Sequence, residues 1–391
     1  MPSSNLRLQT AIRNIHLWVG LVVGTMFCLM SLSGSLIVFR ADIEHSFRPQ
    51  WTPTSQARPQ SVLTEAARNI QQRWPGATIV SLNIPPGPAD PNVREPYEID
   101  TRLPDGRTAH VFTDSRSGEV LGTFDLPWLT WIVELHHNLR LGPTGKQVVG
   151  VIGIGLFFTS LTGLTLWMLR KPNLRTALRV RTQASWKAAN FDIHRSAGLV
   201  ANALLLIVSI TGIYLAYPNT IQSVLGVAPD ETRRRIKAAR DKGEGLREEA
   251  KPIDELLTAV RQAVPGRSVR QISFADKSGR GQVTVRIWAP GDVRPKGSNR
   301  VTLDASTARV LHFDRASDWS PIKRLTQSAT PVHYAEWGGL PLRILWAFIG
   351  FAPPVLFVSG FLIWLQPYLT RRKSARQTRA NNLISVEELV S

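Results

Sequence analysis

Four runs of the chain, about residues 17–39, 148–169, 197–217 and 344–365, are dense in Leu, Ile, Val, Phe and Gly and almost free of charge. Each is long enough to cross a hydrocarbon core, which takes about 20 residues of helix. Lipid offers the backbone no hydrogen-bond partners, so such runs must close their bonds internally, as helices. Long polar segments rich in Pro, Arg and Asp separate the first run from the second and the third from the fourth. The chain therefore reads as an α-helical membrane protein with substantial extramembrane parts. Arg7 and Arg13 precede the first run as they would in a signal peptide, but the run is too long for one. No A-x-A-like cleavage site follows in "SLIVFRADIEH".

Orientation follows from the short loops. Residues 170–187, "RKPNLRTALRVRTQASWK", hold six Lys or Arg and no acid, and "RRKSARQTR" adds five more after the fourth run. Both predict a cytoplasmic position, with the N-terminus on the same side, and the long segments opposite. The net charge of +18 belongs largely to these loops, where topology and anionic membrane lipid account for it. No nucleic-acid motif accompanies it, so no nucleic-acid partner is expected. The single cysteine, Cys28, lies in the first run and excludes disulfides or Cys-based metal clusters within one chain.

The chain also repeats itself. "IHLWVGL" (15–21) aligns with "IHRSAGL" (193–199), placing His16 on His194 and Gly20 on Gly198 at an offset of 178. "SLSGSLIVF" and "SITGIYLAY" continue at that offset, with Gly34 on Gly212. Pro75 and Asp114 fall on Pro265 and Asp304 at an offset of 190, and Gly163 and Trp167 fall on Gly360 and Trp364 at 197. Offsets that rise in order are those of a tandem duplication with insertions. Two copies in one orientation imply a pseudo-two-fold axis along the membrane normal. Each extramembrane segment reads as an amphipathic helix, "VLTEAARNIQQRW" or "IDELLTAVRQAV", followed by a small antiparallel sheet. No nucleophile–base or metal-ligand constellation is apparent in either.

The expected organisation is helix 1 over 1–45, a first outer α+β domain over 46–127, helix 2 over 128–170 and a basic loop over 171–189. Helix 3 over 190–218, a second outer domain over 219–325, helix 4 over 326–369 and a tail over 370–391 complete it.

The histidines follow the repeat. His16 and His194 stand at the same depth, at the inner ends of the first and third spans. His136 and His333 each precede their glycine, Gly163 or Gly360, by 27 residues and stand before the second and fourth spans, with His137 as the alternative to His136. Two symmetric pairs of imidazoles in a four-helix bundle are the ligand set of two b-type haems, one near each membrane face. No C-x-x-C-H occurs, so attachment would be non-covalent. Gly20, Gly24, Gly150, Gly153 and Gly198 would leave room for a flat macrocycle. Trp128, Trp131, Trp337 and Trp346 read as an aromatic belt. His45 lies 29 residues after His16, on nearly the same face if the helix is continuous, and has no repeat partner.

These motifs ("HLWVGL…SLSGSLIVF", "LHHNLRLG", "HRSAGL…TGIYL") and the two PepSY-like outer domains resemble the PepSY-associated transmembrane family over nearly the whole chain. The resemblance is to bacterial inner-membrane di-haem reductases of ferric siderophores of the ferrioxamine type. It implies two haems b per chain, a cytoplasmic-side haem on His16 and His194 and a periplasmic-side haem on His136 and His333. It also implies periplasmic outer domains and reduction of a ferric siderophore to release Fe(II) for uptake. Arg13, Arg195 and Arg140 are then the candidate propionate contacts, and His45, Trp131 and Trp337 the candidate substrate residues. "GVIGIG" lacks the strand-to-helix setting of a dinucleotide site, so electrons would come from a separate donor, a cytoplasmic reductase or quinol. Two other classes stand beside this one. A metal permease would use the histidines as transient ligands, and a non-enzymatic sensor would bind a protein partner through its outer domains.

Overall fold

The computed structural model describes residues 2–49, 51, 62–85, 95–170, 173–227, 250–274, 281–292, 294–368 and 370. Residues 228–249 of the second outer segment and residues 371–391 of the tail fall outside these. The chain divides into two compact units, one of residues 1–39, 131–217 and 332–391, the other of residues 40–130 and 218–331.

The first unit is helical. Helices α1 (Pro2–Ile37), α5 (Gly142–Leu169) and α7 (Trp186–Ala216) are three of its long elements. The fourth long segment, Glu336–Tyr368, is broken into α11 (Gly339–Ile349) and α12 (352–368). Pro353 and Pro354 sit at the start of α12, where a missing N–H costs nothing. These four segments are long and apolar enough to cross a membrane. α5 packs on both α1 and α7. Within the spans, Ser and Thr hydroxyls turn back on their own helix: Ser33 donates to Leu29 O at 2.7 Å, Thr162 to Phe158 O at 2.7 Å, Thr211 to Ile207 O at 2.8 Å and Ser359 to Val355 O at 2.6 Å. This is how hydroxyls are accommodated where there is no water.

Two glycines expected to make room for a macrocycle make room for neighbours instead. A β-carbon on Gly24 would run into the Phe357 ring, and one on Gly150 into the Tyr217 ring. These are packing contacts of the small-residue kind. Helix α1 ends at Ile37, turns at Val38–Phe39, and α2 (Arg40–Phe47) starts anew. The helical phase from His16 to His45 is therefore not carried, and the shared-face argument for His45 fails.

The second unit holds one eight-stranded antiparallel sheet. Its first half is α3 (Val62–Arg73) and strands β1 (Thr78–Asn83), β2 (Tyr97–Arg102), β3 (Thr108–Thr113) and β4 (Val120–Thr123). The second is α9 (Ile253–Ala263) and β5 (Ser268–Phe274), β6 (Gln282–Trp288), β7 (Asn299–Asp304) and β8 (Val310–Asp314). Between the halves lies the short α8 (Pro218–Val224). The strand order is β4-β3-β2-β1-β5-β6-β7-β8, the halves joined through Leu82 opposite Ile272.

The two segments expected as separate domains thus share one sheet. They also share one core, in which Leu63, Ile70, Leu82 and Val111 pack with Leu256, Val260, Ile272 and Val285. Asp254 at the start of α9 accepts from the backbone N–H and the hydroxyl of Thr64 at the start of α3, at 2.9 and 2.8 Å. Bulges recur at matching places, Ile79/Ser81 in β1 and Val269/Gln271 in β5. So do the β3–β4 and β7–β8 turns, where Asp114 and Asp304 accept backbone N–H groups and Gly118 and Ala308 take φ of 76° and 59°.

Candidate functional site

Each of the four predicted ligand histidines stands on a Ser/Thr–Gly pair of a neighbouring helix. His16 faces Gly163, His194 faces Gly360, His136 faces Gly34 and His333 faces Gly212: a β-carbon placed on those glycines would lie 3.1, 3.1, 2.9 and 3.3 Å from the imidazole Cε1. The residue before each glycine supplies a hydroxyl to the same ring. Nδ1 of His16 lies 3.2 Å from Thr162 Oγ1, that of His194 2.9 Å from Ser359, that of His136 3.1 Å from Ser33 and that of His333 2.9 Å from Thr211. Those hydroxyl protons are already given to carbonyls one turn back, so the oxygens accept and each Nδ1–H donates. A carbonyl accepts from each ring as well, that of Thr159 for His16 and of Leu356 for His194, at 3.0 and 3.1 Å, and those of Met30 and Val208 for His136 and His333. The tautomer is thereby set, and Nε2 of every ring keeps its lone pair.

The rings meet in pairs. His16 and His194 have centroids 6.2 Å apart, and His136 and His333 6.4 Å apart. Two imidazoles that share one metal ion through Nε2, each about 2 Å from it, stand with centroids about 6 Å apart. A neutral imidazole that donates Nδ1–H to an oxygen is also how metal-ligating histidines are held. The residues present therefore fit an axial pair at each place. The repeat offset picked His136 over His137, and it is His136 that faces His333. His137 Nε2 instead meets the Tyr334 hydroxyl at 3.2 Å.

His136 and His333 each sit near the end of a short helix, α4 (Pro127–Asn138) and α10 (Pro321–His333). Both helices stop in left-handed residues: Leu139 and Arg140 with φ of 52° and 59°, and Ala335 with φ of 54°. Non-glycine residues held there cost about 1–3 kcal/mol each and mark functional positions more often than ordinary loops. A cavity of about 690 Å³ lies against this pair, within the range of cofactor pockets, roughly 300–1,000 Å³. His136, His137, His333, Tyr334, Gly34 and Gly212 are in its wall, with apolar residues of α1, α5 and α7.

The arginines divide. Arg13 is exposed. Arg195 is committed elsewhere: with Arg181 it holds the fully buried Asp192, at 3.0 and 2.7 Å, and it donates to the carbonyls of Thr176, Ala177 and Arg179. These bonds fasten the loop carrying α6 (Leu174–Leu178) to the start of α7. Arg140 lies 3.5 Å from Glu134 and over the Trp131 ring at 5.6 Å, and is not in the cavity wall. Trp131 and Trp337 are exposed, at 46% and 55%. Trp346, expected in the aromatic belt, is buried and lines the cavity.

The second unit holds a cluster the sequence did not disclose. Glu98, Asp100 and His110 bring ligand atoms close enough to hold a metal ion. Asp100 and His110 are directly opposite on β2 and β3, and strand pairing alone unites them. His110 Nδ1 donates to Asp100 Oδ1 at 2.7 Å and lies 3.5 Å from Glu98. The hydrogen bond to Asp100, with that to Glu98, pushes the imidazole up to about 10. Burial works against ionisation of Asp100, yet hydrogen bonds from His110 and Ser81 hold its carboxyl below the usual range. At neutral pH His110 is an imidazolium bonded to the Asp100 carboxylate.

The PepSY-associated TM region, as a family description, matches residues 13–366 of this chain. The chain belongs to the PepSY-associated transmembrane family. It is also similar to the uncharacterized protein PA4219 of Pseudomonas aeruginosa, 24% identical over 285 residues that cover 66% of this chain and 67% of that protein. For this PepSY-associated protein, the Ser/Thr before each glycine is what the sequence reading passed over. The dipeptides Ser33–Gly34, Thr162–Gly163, Thr211–Gly212 and Ser359–Gly360 recur in all four spans at the repeat offsets, and that recurrence was the available signal.

Proposed function

We propose that the protein is an inner-membrane di-haem b electron carrier that takes electrons at its cytoplasmic side and reduces ferric siderophores at its periplasmic side, releasing Fe(II) for uptake. One observation carries this reading: two histidine pairs, with centroids 6.2 and 6.4 Å apart, whose four Nδ1 atoms are all tied to helix oxygens. A permease has no need of matched pairs with set tautomers, and a partner-binding sensor leaves them unexplained. The equal offsets of histidines and glycines support a tandem duplication, and the basic loops support cytoplasmic termini.

In this reading His16 and His194 hold one haem and His136 and His333 the other. Haem b, when bound, supplies one-electron chemistry. The chain's own residues set the axial ligation, keep the rings neutral and surround the sites with apolar side chains, which are the means by which a protein tunes such a group. Siderophores bind Fe(III) through hard oxygen donors, and one-electron reduction to Fe(II) loosens that hold. The electron donor is a separate cytoplasmic reductase or quinol.

The test is the visible spectrum of the detergent-purified protein, oxidised and dithionite-reduced, with haem counted per chain. Sharp α and β bands and two haems per chain are expected, with reoxidation by ferric ferrioxamine. A protein that stays colourless after haem-supplemented expression defeats the reading.

A further inference from the structure

We infer that Trp346, with Lys146, forms the anchor for the carboxylate groups of the cofactor held by His136 and His333, an inference that rests on the haem reading above. Trp346 is 9% exposed, and its Nε1–H is buried with no acceptor among the described residues. A buried indole N–H ordinarily finds a partner, because leaving one unmade costs about 1–3 kcal/mol. The Trp346 side chain stands in the wall of the same cavity as His136 and His333.

The rest of that wall narrows what the partner is. Its serines have given their protons within the bundle, Ser31 to Cys28 O at 3.1 Å, Ser35 to Ala347 O at 2.9 Å and Ser209 to Leu206 O at 2.8 Å, and none accepts from the Trp346 indole. Among the described residues the wall has no Asp or Glu and one cation, Lys146. Asn138 Oδ1 is likewise buried without a partner in the wall, and a half-turn of its amide presents N–H groups instead. An unpaired donor, an adaptable amide and a lone ammonium in an apolar cavity complement an anion with several acceptor oxygens. The propionates of a haem are such anions. The arginines suggested by the sequence are spent elsewhere, Arg140 toward Glu134 and Arg195 on Asp192 and three carbonyls.

The test uses the full chain carrying His16→Ala, so that only the second pair takes up haem. Soret titration compares haem b with its dimethyl ester, whose carboxylates are masked. The parent is expected to prefer the free acid. Trp346→Phe is expected to reduce that preference about tenfold, the scale of one hydrogen bond to a charged acceptor, and to lower the haem midpoint potential by exposing propionate charge. Lys146→Gln should act in the same direction, and Trp346→His, which keeps a donor, should restore part of the preference. In the otherwise wild-type chain, the spectrum of the haem on His16 and His194 reports whether Trp346→Phe has folded. If Trp346→Phe and Lys146→Gln both keep the parental preference and potential, the anchor is wrong while the haem reading stands. If the unmutated chain binds no haem, both fall together.

Discussion

His136 rests on Gly34, so closely that a single methyl group there would come within 2.9 Å of its Cε1. The neighbouring Ser33 accepts from Nδ1 of the same ring. The glycine sets where the imidazole stands and the serine sets which nitrogen is free, so one dipeptide of α1 decides both. The other three histidines have the same arrangement with Thr162–Gly163, Thr211–Gly212 and Ser359–Gly360.

Alanine at these glycines should displace the rings in the order of the available space. Gly34→Ala, at 2.9 Å, is expected to be most damaging, Gly163→Ala and Gly360→Ala, at 3.1 Å, intermediate, and Gly212→Ala, at 3.3 Å, mildest. Haem per chain in purified variants measures this. Gly34→Ala should lose the haem of the second pair and keep that of the first. Equal retention by all four variants would show that the glycines do not place the ligands.

Removing the hydroxyl acceptor should be felt electronically. Ser33→Ala and Thr211→Val leave the Nδ1–H of His136 and His333 with weaker partners, which lowers ligand basicity and raises the haem potential. Such supporting residues typically change metal affinity or activity by about 10–100-fold. Thr162→Val and Ser359→Ala are expected to act in the same direction and to a similar extent, because a backbone carbonyl also accepts at each of the four rings: Thr159 and Leu356 for His16 and His194, Met30 and Val208 for His136 and His333. A redox titration that separates the two haems gives the comparison.

Asp192→Asn should free the loop before α7. The buried carboxylate is the shared acceptor of Arg181 and Arg195, and the neutral amide cannot hold two guanidinium groups as firmly. Limited trypsinolysis should cut faster at Arg175, Arg179 and Arg181 in the variant, while the histidine pairs keep their haem. An unchanged cleavage rate would mean that the helix packing alone holds this loop.

The His110–Asp100 pair should stabilise the sheet over a defined pH window. The imidazole is raised in the folded state to about 10, so its contribution is complete below its unfolded value of about 6.5 and is lost as pH rises through about 10. The Asp100 carboxyl is lowered, so its contribution is present above the ordinary carboxylate range and is lost as pH falls below it. His110→Gln should therefore cost most near pH 5–6, roughly 1 kcal/mol for a cross-strand pair, and little at pH 10 or above. Thermal melts of both proteins across pH give the answer, and a pH-independent difference would refute the charge assignment.

The sequence by itself determined the four apolar helices, the repeating glycines and the correspondence of His136 with His333. Each depends on spacing along the chain: a length of apolar residues, or an offset that survives insertion. What the spacing could not determine was which groups meet across the chain. The continuous helix assumed from His16 to His45 is broken at Val38–Phe39, because local turn geometry overrides a count of residues. Gly24 and Gly150 receive aromatic rings from other elements, Arg195 is consumed by Asp192 and the loop carbonyls, and Trp346 is buried in the cavity wall. Strand register alone brings Asp100 to His110, and the pairing of Leu82 with Ile272 joins two helix-and-sheet segments into one sheet. A one-residue slip in either register would send every side chain to the opposite face, so those partnerships belong to the tertiary structure.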